Sequence, residues 1–80
     1  MKTAVNVGWD WVWTRNGVEI THHGVKLAEI VTNRPVAVGF TVVGWCKRHN
    51  PDSIHVFGSH VGTQTVRLYR EKSLLFEANL

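Results

Sequence analysis

The stretch Val36-Ala37-Val38-Gly39-Phe40-Thr41-Val42-Val43-Gly44-Trp45-Cys46 decides how the chain is read. In an extended chain successive side chains alternate. Val36, Val38, Phe40 and Val42 then share one face, and Ala37, Thr41, Val43 and Trp45 share the other. Both faces are largely apolar, which fits a central strand or a piece of barrel wall. Gly39 and Gly44 would then mark bends or bulges. Composition points the same way. Of 80 residues, 13 Val, 3 Ile and 7 Thr are β-branched, against 9 Leu and Ala together. Branching at Cβ suits a pleated surface and restricts rotamers in a helix.

Upstream, Trp9, Trp11 and Trp13 alternate with Asp10, Val12 and Thr14. Arg15-Asn16-Gly17 is a turn signal, because Asn-Gly tolerates the positive φ of hairpin turns. Val18–Thr21 returns as the partner strand, and residues 3–7 read as a short strand ending at Gly8. Residues 22–34 fit two patterns. Leu27, Ile30, Val31 and Arg34 have helical spacing, while Val25, Leu27 and Val31 suit a strand. The reading adopted is a short helix ending before Pro35, since a residue preceding proline disfavours the α region.

Downstream, Asn50-Pro51-Asp52-Ser53 is a turn, and Ile54–Ser59 and Thr65–Arg70 are strands joined through Gly62. Leu74, Phe76, Ala78 and Leu80 alternate as a last strand. The expected fold is mainly β. It is one small domain over residues 1–80: a strongly bent antiparallel sheet or small barrel of five to six strands, with one short helix. Phe40, Val42, Ile54, Val56, Val66 and Leu68 are its expected core.

Composition bounds the function. A chain of 80 residues holds one core and one surface site,. No apolar run approaches the roughly 20 residues of a membrane span, and the N-terminus does not read as a signal peptide. A single cysteine points to a reducing, cytoplasmic setting,. The net charge of +3 is compatible with nucleic acid or another acidic partner,.

Two clusters set basic groups beside aromatic rings: Lys47, Arg48 and His49 with Trp45, and Arg67, Arg70 and Lys72 with Tyr69. Such interleaving suits phosphate and base contacts, or is simply a solvated face. Alternation puts Arg67 and Tyr69 outward, opposite Val66, Leu68 and Arg70, and the expected contact surface adds Arg70, Lys47 and Arg48 from around that strand pair. Arg67 then either holds a ligand or pairs with an acid such as Glu77. Trp9, Trp11 and Trp13 form either core or an exposed platform and interface. Cys46, His49, His55 and His60 match no zinc framework, so no metal and no cofactor is expected. Nothing near Cys46 would activate its thiol.

Val43-Gly44-Trp45, Cys46, Pro51-Asp52 and Val66-Arg67-Leu68-Tyr69 resemble the type II, plasmid-borne dihydrofolate reductases over about 40 residues of the second half. That resemblance implies an SH3-like barrel acting as an NADPH-dependent oligomer. Arg67 replaces a pore glutamine of the family, so four guanidinium groups would crowd one pore. The preferred expectation is therefore a non-enzymatic, freestanding accessory or inhibitor protein of mobile-element or phage type. It would contact nucleic acid or a nucleic-acid-handling protein, with no membrane role, and could form a homodimer or higher oligomer through exposed edges or rings.

Overall fold

The structure, a computed structural model, describes residues 8–59 and 62–80. The strand expected over residues 3–7 lies outside them, as does His60. Six strands and one helix follow in the order β1 (Trp9–Trp13), β2 (Gly17–His22), β3 (Val25–Val31), α1 (Pro35–His49), β4 (Ser53–Gly58), β5 (Gln64–Arg70) and β6 (Ser73–Asn79). They make two antiparallel meanders, β1-β2-β3 and β4-β5-β6. The fold is mainly β with one short helix, as expected, and the strands do not close into a barrel.

Local chemistry sets the hairpins. His22 pairs with Val25 across His23 and Gly24, whose φ angles are 52° and 80°. Arg70 pairs with Ser73 across Glu71 and Lys72, at 53° and 70°. Two consecutive left-handed residues match the twist of the flanking strands. The turn at Arg15-Asn16-Gly17 is present, but Gly17 is not needed there for positive φ. A Cβ on it would lie 2.1 Å from the Ile30 carbonyl oxygen. Glycine here lets β3 approach β2.

The middle of the chain inverts the sequence reading. Residues 36–46 are helical, not a strand, and residues 25–31 are a strand, not a helix. Val38, Val42 and Cys46 recur every four residues and are buried, flanked by Gly39 and Val43. Pro35 opens the helix, where its fixed φ is preset and its missing N–H is no loss. Asn50 closes it at φ 51°, donating its N–H to the Cys46 carbonyl at 2.7 Å. Valine costs a few tenths of a kcal/mol in a helix, but burying one is worth about 1.5–3 kcal/mol. Packing therefore overrides propensity. In β3 the register shifts between Ile20 and Thr21, whose partners are Ala28 and Lys26, leaving Leu27 as an extra residue. This bulge breaks the strand's alternation and produces the helix-like spacing of residues 27–34.

Helix α1 packs its buried stripe against one face of each sheet. The core joins Trp9, Val18, Ile20 and Ile30 to Ile54, Val66 and Leu68 through Val38, Val42, Val43 and Cys46. Of the expected core, Val42, Ile54, Val66 and Leu68 are buried and Val56 is partly so. Phe40 is not; it is 67% exposed on the solvent side of α1, because a helix turns it about 200° away from Val42. Gly39 and Gly44 sit inside α1 rather than at bulges. Between the sheets, the buried Gln64 amide donates to the Val31 carbonyl at 3.0 Å.

Candidate functional site

Among the described residues, one helix covers one face of each sheet and nothing packs over the other. On the first sheet the free face carries the cross-strand rows Asp10–Thr21–Lys26 and Val12–Glu19–Glu29. It is a charged, solvated surface with a Lys26–Glu29 pair at 3.0 Å. The second sheet differs. Its outer rows are Ser53–Tyr69–Leu74, His55–Arg67–Glu77 and Phe57–Thr65–Asn79. Three rings lie close together: His55 is 4.7 Å from Tyr69 and 6.2 Å from Phe57, centre to centre. The Arg67 guanidinium carbon is 4.9 Å from the centre of the Phe57 ring, a cation–π approach. Arg67 Nε also donates to Glu77 Oε2 at 2.9 Å. The hydrogen bond to Glu77, and after it one to Tyr69, hold the guanidinium pKa above its ordinary value. Beside this cluster, Asp52, Ser53, His55, Tyr69, Glu71 and Lys72 line an open depression. The Asp52 carboxylate accepts the Glu71 N–H there at 2.9 Å, fixing one rim.

The expected site is therefore split. Arg67 and Tyr69 are displayed outward with Val66 and Leu68 inward, and Arg67 does pair with Glu77. Arg70 is not on that surface. Its guanidinium donates to the carbonyls of Asn50, at 3.2 Å, and His49, so it caps the C-terminus of α1,. Lys47 and Arg48 are exposed in the last turn of α1, across the second sheet from Arg67. Trp45 is half-buried, 5.3 Å from Phe76, whose cross-strand partner is the buried Leu68. The structure brings His55 and Phe57 to Arg67 and Tyr69, and leaves Arg70, Lys47, Arg48 and Trp45 elsewhere. His55 and Phe57 carried a signal: they alternate with Ile54 and Val56. Joining them to Arg67 required the β4–β5 register.

The tryptophan row is neither all core nor a flat platform. Trp9 is 5% exposed, stacks on His22 at 4.1 Å and donates Nε1 to Asn50 Oδ1 at 3.4 Å. Trp11 is half-buried against α1; a Cβ on Gly39 would lie 2.5 Å from its ring. Trp13 is 67% exposed. Cys46 is fully buried, and burial pushes its thiol up to about 12. The thiolate that nucleophilic attack or zinc binding needs is thereby disfavoured. Among the described residues no three His, Cys, Asp or Glu side chains converge on a metal-sized site.

Comparison with protein-family models, with curated proteins and with solved structures gave no match.

Proposed function

We propose that the chain is a non-enzymatic binding module that presents the outer face of its second sheet to single-stranded nucleic acid. The observation that carries this reading is the gathering of His55, Phe57 and Tyr69 around Arg67 on one uncovered sheet face. Exposed rings offer stacking surfaces to unpaired bases, which a duplex hides. Arg67 in the central strand and Lys72 in the β5–β6 turn supply cations for phosphate, and Thr65, Asn79 and Ser53 supply polar atoms beside the rings. The acids Glu77, Glu71 and Asp52 lie on or beside the same face. That balance lacks the cation surplus of a duplex-backbone binder and favours stacking over charge.

Fluorescence anisotropy with single- and double-stranded oligonucleotides, at low and moderate salt, tests the reading. Each phosphate contact to a single strand contributes about −0.7 to the log–log salt slope, so two contacts give roughly −1 to −2. Single strands should bind preferentially with a slope of that size. The double variant Arg67→Ala/Tyr69→Ala should lose binding with its melting temperature unchanged. Absence of single-strand binding at low salt, or preference for duplex, contradicts the reading and leaves a protein partner for this face.

A further inference from the structure

We infer that the ring cluster Trp11–Trp13–Phe40, on a different surface, is a homodimer interface in which Phe40 of each copy seats over Gly44 of the other. The cluster is contiguous: Trp11 lies 5.4 Å from Trp13 and 5.6 Å from Phe40, both edge to face. Trp13 and Phe40 are each 67% exposed, and no described residue covers them.

Gly44 supplies the notch. It lies inside α1, where glycine is less stable than alanine. It stands four residues after Phe40, so the two share a side of the helix one turn apart. A Cβ built on Gly44 would meet no atom within 4 Å. Among the described residues, none requires a glycine at this position. Gly39 shows what such a notch does in this helix: its missing Cβ admits the Trp11 ring of the same chain, which would otherwise lie 2.5 Å away. Gly44 is an open notch too, with no ring of a described residue in it.

The occupant is a second copy because knob and notch are self-complementary. Two α1 helices crossing antiparallel about a two-fold axis put each Phe40 against the other Gly44, the residue exchange of an isologous contact. The same crossing keeps the two Lys47 side chains at opposite ends. An added strand along β1 fits less well: the Trp11 N–H on the free edge is already taken by Asp10 Oδ1 at 2.7 Å, which blocks ladder pairing there. At about 150–250 Å² per aromatic side chain, the exposed two-thirds of Trp13 and Phe40 in two copies come to about 400–670 Å². That forms the apolar centre of the contact, and the crossing α1 helices around it supply the rest of the ~1,200 Å² that a stable interface buries.

Sedimentation equilibrium from micromolar to millimolar concentration tests the inference, on the wild type and on Phe40→Glu and Gly44→Glu. The wild type should reach twice the 9.1 kDa chain mass. Both variants should remain monomeric at every concentration, with circular dichroism unchanged. Gly44→Glu should also melt no lower than the wild-type monomer, since glutamate favours helix over glycine. A wild type that stays monomeric throughout, or a dimer that survives either substitution, overturns the proposal.

Discussion

Arg67 sits between two claims on its charge. Glu77 holds it at 2.9 Å and the Phe57 ring lies under it at 4.9 Å. The pair is exposed, and exposed ion pairs add little stability. Its consequence is competition with a phosphate. Glu77→Gln removes a rival anion and should strengthen single-strand binding severalfold with little change in melting temperature. Weaker binding would mean that Glu77 positions Arg67 rather than competing for it. Cys46 supplies a pH prediction. Its thiol ionises near 9.0 when unburied and keeps its proton up to about 12 in the fold. Between those values the unfolded state binds fewer protons, so stability falls as pH rises through that window. Below about pH 9 this group adds no slope. Urea unfolding of wild type and Cys46→Ala across the window should show the wild type losing stability relative to the variant; a constant difference would contradict the burial assigned to the thiol. At this scale much was legible. Alternation alone placed Arg67 and Tyr69 outward. Alternation also puts Arg70 on the other side from Arg67, but its tie to the end of α1 is not legible, because it depends on a helix that the strand-like pattern of residues 36–46 conceals.

Among the elements, strands bounded by turn chemistry were legible and the helix was not. The β1–β2 hairpin and strands β4, β5 and β6 follow from short-range alternation that packing does not disturb. Residues 36–46 carry apolar side chains at both periods, and a two-residue period conceals the four-residue recurrence of Val38, Val42 and Cys46. Pro35 reads as a stop signal just beyond a helix over residues 22–34, but in the fold it opens α1,. The Leu27 bulge completed the inversion by spoiling alternation in β3. The helix assignment makes a sharp mutational contrast. Val42 is fully buried and Phe40 is 67% exposed, although on a strand they would share a face. Val42→Ala should cost about 1–3 kcal/mol through cavity formation. Phe40→Ala should cost well under about 1 kcal/mol in the monomer, as for other exposed sites. Equal costs in chemical denaturation would restore the strand reading.

For the whole molecule, covering capacity is the governing fact. Among the described residues a single helix packs over the two sheets, with no second covering layer. Each sheet therefore keeps one bare face, and the two faces differ in chemistry. The first is charged, with Asp10, Glu19 and Glu29 against Lys26, and polar, as an antiparallel sheet's solvent side ordinarily is,. The second gathers rings and a guanidinium, which water alone does not call for. The mainly β class was legible from β-branched content. The grouping of His55 and Phe57 with Arg67 and Tyr69 was not, because it depends on a register set across residues 59–63, and the local pattern does not fix that register. The most direct measurement is a map of amide chemical-shift changes as a short single-stranded oligonucleotide is added at low salt. Changes should concentrate at His55, Phe57, Thr65, Arg67, Tyr69 and Glu77, with the rows of Asp10 and Glu19 undisturbed. Changes centred instead on Lys47 and Arg48, or on Trp13, would contradict that placement.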